Sequence, residues 1–218
     1  MTRLSFAVLD VRPEAYAVSP TLQFRVRVAE TTGETVHAMA LRAQVRIDAQ
    51  RRHYTEAERE GLVDIYGEPA RWGHTLKPLL WGHCSTMVQG FQDAREFDLP
   101  MAVTYDHEVA ASKYLHALVD GEVPLSLSFG GTVFTRGGTG FGVEQISWDH
   151  DVDHRMPVAV WDELVRQHFP GGGWLRLQEE TIAELRRFKN RRGLLGWDEV
   201  CAALLDEALL KDGGEVGS

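Results

Sequence analysis

Two stretches decide the fold: Leu22-Gln23-Phe24-Arg25-Val26-Arg27-Val28 and Leu41-Arg42-Ala43-Gln44-Val45-Arg46-Ile47. In each, apolar and polar residues alternate strictly, the period of a β-strand with one face buried and one face wet. Polar partners this regular fit an antiparallel sheet better than a parallel one, whose strands are covered on both sides. Thr31-Thr32-Gly33-Glu34, between the two runs, reads as a hairpin connection. Working outward, Leu4, Phe6 and Val8 supply an earlier strand, and Phe97, Leu99, Met101 and Val103 a later one. Pro100 places that later strand at a sheet edge, where a missing N–H is tolerated.

Residues 55–66 read as a short surface helix, and Gly67 to Leu80 as a loop punctuated by Gly67, Pro69, Gly73 and Pro78. Ala111, Tyr114, Leu115, Leu118 and Val119 make the apolar stripe of a helix over 107–119, with Asp106 as its N-cap. Val123 to Val133 returns to strand, and Gly130-Gly131 inside it marks a bulge. Gly137-Gly138-Thr139-Gly140 turns the chain into a strand over Phe141–Trp148, whose apolar phase slips between Val143 and Ile146. From Asp149 the pattern becomes helical. One helix follows Pro157 with Trp161, Leu164, Val165 and His168, a second carries Ile182, Leu185 and Phe188, and a third carries Trp197, Val200, Cys201, Leu204 and Ala208. About seven strands followed by helices predict an α+β fold. It is a mainly antiparallel β-sandwich over 1–148 with an inserted helix, then a helical extension over 149–218 packed on it.

The 218 residues carry 23 Lys+Arg against 32 Asp+Glu, a net charge of −9, which argues against nucleic acid or an anionic membrane surface as partner. No apolar run approaches the roughly 20 residues a membrane-inserted helix needs. With two cysteines, Cys84 and Cys201, and no leader pattern at the start, a cytoplasmic protein with free thiols is expected.

Nine histidines are the compositional oddity. The densest polar group is Asp149-His150-Asp151-Val152-Asp153-His154, whose imidazoles and carboxylates are ligand types for a transition metal. Its place between a strand and Pro157 reads as a turn, and acidic residues there also suit a helix start. Asp149, His150, Asp153 and His154 are candidate ligands, and His74, His83 and Cys84 could complete a tetrahedral site if the two groups meet in space. The glycines at 137–142 lack the following helix that a phosphate loop requires, so they read as a hairpin turn. Arg186, Arg187, Lys189, Arg191 and Arg192 form the one strong cation cluster, a solvated helix end or a docking patch for an acidic partner. Trp161 and Trp197 read as core. Trp72, Trp81 and Trp174, in loop-like stretches, either plug a core edge or anchor a partner.

Several segments carry a family resemblance together: Leu79-Leu80-Trp81, Phe97-Asp98-Leu99-Pro100, Thr104-Tyr105-Asp106, Lys113-Tyr114-Leu115 and Gly121-Glu122-Val123-Pro124-Leu125. So do Phe129-Gly130-Gly131-Thr132-Val133-Phe134, Ile146-Ser147-Trp148, Phe169-Pro170 and Trp174-Leu175-Arg176-Leu177. Their order resembles an uncharacterised bacterial family encoded beside high-affinity nickel–iron hydrogenase genes, over Phe24 to about Leu205. That resemblance implies an accessory role whose partners are hydrogenase subunits or maturation factors, and it supplies no catalytic residues. The expectation is a non-catalytic protein-binding or assembly factor without a cofactor. The alternatives are a metal-binding protein or metal-dependent enzyme built on the Asp149–His154 cluster, and a structural subunit exposing a sheet edge near Pro100.

Overall fold

The computed structural model describes residues 3–103, 109–137, 140–171 and 177–212. Seven strands are found among them: β1 (Leu4–Pro13), β2 (Thr21–Glu30), β3 (Val36–Ile47), β4 (Leu79–Phe91), β5 (Ala94–Ala102), β6 (Glu122–Gly137) and β7 (Gly140–Pro157). They form two antiparallel sheets, ordered β1-β2-β5 and β4-β3-β6-β7. Consecutive strands change sheet between β2 and β3, between β4 and β5, and between β5 and β6. The fold is therefore α+β with a β-sandwich as its main part, and Pro100 lies on β5, an outer strand of its sheet.

The alternating runs behave as their period requires. Leu22, Phe24, Val26 and Val28 of β2 are buried, as are Met39, Leu41, Ala43, Val45 and Ile47 of β3. The two runs do not pair with each other, however: β2 lies between β1 and β5, and β3 between β4 and β6. Thr31–Glu34 is a crossover between sheets rather than a hairpin. Glu30 builds that corner by accepting from the N–H groups of Arg3, Thr32, Gly33 and Glu34 and from the Thr32 hydroxyl. Burial opposes its ionised form, but the Thr32, Arg3 and Gly33 donors outweigh that and hold the carboxyl down at about 2.

Three helices cover the sandwich, α1 (Glu56–Tyr66), α3 (Val109–His116) and α4 (Val158–His168), with a single turn α2 (Trp72–Thr75) between α1 and β4. Thr55 and Glu58 close a capping box on α1. Glu58 also meets Arg52 at 2.6 Å with both side chains buried, and accepts from the Val119 N–H at 3.0 Å. Arg52 donates onward to the carbonyls of Asp120 and Glu122. One ion pair thus ties α1 to the turn that leads into β6.

The bulge read at Gly130-Gly131 is present, with the β6–β7 register shifting between Phe129 and Gly131. Gly131 has φ 140°, and a Cβ there would stand 2.1 Å from the Ala40 carbonyl oxygen of β3. Only glycine lets β6 approach β3 this closely. Two segments differ from the sequence reading. Leu79–Phe91 is strand β4, so the loop read from Gly67 to Leu80 ends before Leu79. Strand β7 continues through Asp149 to Pro157 and does not give way to helix at Asp149.

The chain forms two compact units, 1–171 and 172–218, so β7 and α4 belong to the first. The second contains α5 (Glu179–Arg192) and α6 (Trp197–Asp212), joined by a turn in which Gly193 takes the left-handed conformation at φ 67°. Asp106 as N-cap, residues 104–108, Gly138-Thr139 and Trp174 lie outside the described residues, as do the side chains of Trp148 and Asp149.

Candidate functional site

Because β7 is a strand, the residues of its Asp/His cluster alternate faces. His150 and His154 point toward the other sheet. His150 meets the Phe6 ring edge-on at 5.5 Å, and Phe6 stacks on Phe129 at 4.7 Å. His154 is half-buried against β1, bonded to the backbone of Val8. Burial lowers its pKa, and the nearby Asp10 only partly offsets that. Asp151 and Asp153 point the other way. Asp151 accepts from the Ser128 hydroxyl, and Asp153 pairs with Arg51 at 2.8 Å, which also reaches Asp48 at 3.5 Å. The expected turn is thus a strand whose carboxylates have partners of their own. A shallow groove runs beside it, lined by Arg51, Pro124, Leu125, Asp153, His154 and Arg155.

His74 is exposed on α2, and His83 is exposed on β4. Cys84, the next residue, faces inward with its thiol directed at the Ala43 carbonyl at 3.8 Å, and burial pushes its pKa up to about 12. That is a packed thiol, not a poised thiolate. Strands β4 and β7 are the two outer strands of their sheet. Three spacings of ~4.8 Å separate them, about 14 Å in all, against metal–ligand bonds of roughly 2.0–2.3 Å. His83 thus stands three strands away from Asp151 and Asp153, and Cys84 faces inward while they face solvent. Among the described residues, no three His, Cys, Asp or Glu side chains converge on one point.

The tryptophans separate by environment. Trp81 is buried in β4, edge-on to buried Trp161 at 6.4 Å, and so is core rather than a partner anchor. Trp72 is half-buried, donates its indole N–H to the Gly67 carbonyl at 2.8 Å, and stands edge-on to Tyr54 and Tyr66. Trp197, expected in the core, is 48% exposed at the start of α6 with Lys189 over its ring at 5.9 Å.

The basic run lies in the last two turns of α5, where its charge complements the helix dipole. Much of it is answered locally. Arg187 pairs with Glu184, Arg192 with Glu207 of α6, and the Arg192 guanidinium covers the Phe188 ring. Arg186 and Arg191 are exposed, without an ion pair among the described residues.

The surface that sequence reading missed is α6. In the sequence Trp197, Val200, Cys201, Leu204 and Ala208 mark this helix, with Trp197 read as core. Of these only Val200 is buried. Ala203 and Glu207, which share its side of the helix, are half-buried. Leu205 is 64% and Leu209 69% exposed, beside exposed Cys201, Ala202 and Ala208. At about 100° per residue Leu205, Leu209 and Ala202 lie opposite Val200, with Cys201 and Ala208 flanking them on one side. The signal was in the sequence: leucines at 204, 205, 209 and 210 surround the helix instead of keeping to one stripe.

Among the described residues, no helix is long and apolar enough to cross a membrane. A comparison with curated proteins finds no match. Among solved structures, similarity extends to a Bordetella pertussis protein assigned as ApaA, at 9% identity and TM-score 0.29, over 71% of this chain and 93% of that one. A Kluyveromyces marxianus β-glucosidase is similar at 10% identity and TM-score 0.26, and Thermotoga neapolitana β-glucosidase 3B at 12% and 0.25. The chain spans only 15% and 17% of those two enzymes. Residues 1–212 match the family of unknown function DUF6084, and the chain belongs to that family.

Proposed function

We propose that the protein is a non-catalytic accessory factor that works by binding another protein. The observation that supports this reading is the outward side of α6, where Leu205 and Leu209 stand in solvent on a well-formed helix. A helix that is apolar on its inner face and again on its outer face gains nothing from the second face until a partner covers it. Fully burying one leucine is worth roughly 1.5–3 kcal/mol, so two leucines and their alanine neighbours can anchor an interface. The resemblance to proteins encoded beside nickel–iron hydrogenase genes makes hydrogenase subunits and maturation factors the first partners to test.

The test is affinity purification at native expression level from the source cells, with the protein's genomic neighbours quantified by mass spectrometry. Stoichiometric recovery of a defined subunit or maturation factor supports the reading. If the protein purifies alone while its neighbours assemble normally in a deletion strain, the reading fails.

A further inference from the structure

We infer that the outward side of α6 receives a basic amphipathic helix of the partner, and not the acidic one that the Arg186–Arg192 run suggests. This rests on the protein-binding reading above and specifies the chemistry of what is bound.

On α5 the exposed side contains no large apolar residue, only Glu180, Glu184, Arg187, Arg191 and their polar neighbours. Its cations are also partly spent, since Arg187 and Arg192 have carboxylate partners within the hairpin and Lys189 lies over Trp197. A partner that docked there would have to displace those contacts and would find nothing apolar to cover.

On α6 the balance is reversed. Trp197, Cys201, Leu204, Leu205, Ala208, Leu209 and Ala202 lie on one continuous arc at helical spacing, all exposed. No lysine or arginine occurs from Trp197 to Leu210. Asp198 sits on the arc near its N-terminal end, and Asp206 borders it on one side. Both are exposed and have no ion pair among the described residues. An apolar strip with exposed carboxylates and no lysine or arginine of its own from Trp197 to Leu210 is complementary to a helix with a leucine stripe flanked by lysine or arginine. A second copy paired through the same strip would supply no lysine or arginine between Trp197 and Leu210 to meet Asp198 and Asp206.

Cys201 lies on the arc, whereas Cys84 is 6% exposed in the sandwich, so native thiol chemistry reports on this surface. The experiment uses the full chain and two synthetic amphipathic peptides of about 18 residues, long enough to fold on docking. They have the same leucine stripe, one with lysine and arginine flanks and one with glutamate flanks. The expected result is that the basic peptide binds at least about tenfold more tightly, slows maleimide labelling of Cys201, and weakens as salt is raised. Leu205→Asp and Leu209→Asp should abolish that binding. Both positions are exposed, so the variants should keep the parent melting temperature and circular dichroism. Equal binding of both peptides would overturn the basic-helix inference while leaving the protein-binding reading intact. Absence of any Cys201 protection would overturn it too, as would self-association of the free chain that Leu205→Asp abolishes.

Discussion

At the scale of single residues, the polar groups that matter most are those the sandwich buries to make its corners. Glu58 accepts from two N–H groups and a guanidinium, and removing it leaves the buried Arg52 charge without its carboxylate. Glu58→Ala is expected to destabilise the protein by about 3 kcal/mol in denaturant titrations, and a loss below about 0.5 kcal/mol would contradict the role given to the pair. Glu30 predicts a pH dependence. Its folded-state carboxyl is held at about 2, below an ordinary Glu value of roughly 4.3. The stability it contributes is therefore complete above the unfolded value and is lost as pH falls toward the folded one. Glu30→Gln should lower the melting temperature at neutral pH, and its deficit relative to wild type should shrink between about pH 4 and pH 2. A deficit independent of pH would contradict this. The two thiols should differ sharply: a native-state assay with a thiol reagent should count one reactive cysteine, Cys201, and a second only after unfolding.

At the scale of elements, what was legible followed from clean periodicity. β2 and β3 alternate without interruption, α4 shows its Trp161 and Leu164 stripe, and the Gly130-Gly131 pair announced a bulge. β4 was not legible because its buried residues are Trp81, Cys84, Val88 and Phe91, spaced three and four apart. The β3–β4 register shifts between Val45 and Arg46, which breaks the period of two at the start of the strand. The second half of β7 was hidden for a different reason. Asp149 to His154 is unusually polar for a strand, and it is held there by pairing with Ser126, Ser128 and Phe129 of β6 rather than by its own propensity. The strand partners of β2 and β3 were also invisible, because alternation fixes which face is buried and not which strand lies alongside. Gly131→Ala probes the tightest point of this sheet. With the Ala40 carbonyl oxygen 2.1 Å from the new Cβ, the substitution should cost about 2 kcal/mol or more and disturb the β3–β6 pairing. A neutral effect would mean that the two strands can separate at little cost.

At the scale of the whole molecule, the buried core joins both sheets with α1, α3 and α4, and every residue of that core falls within 1–171. The proposed recognition surface, the outward side of α6, lies outside that core. Photo-crosslinking in the source cells tests that proposal most directly, with benzoylphenylalanine placed either at Leu205 or, as a control, at Gln44 on the polar outer face of β3. The account predicts a discrete crosslinked protein from position 205 and none from position 44. A discrete crosslink from position 44 alone, or none from position 205, would contradict it.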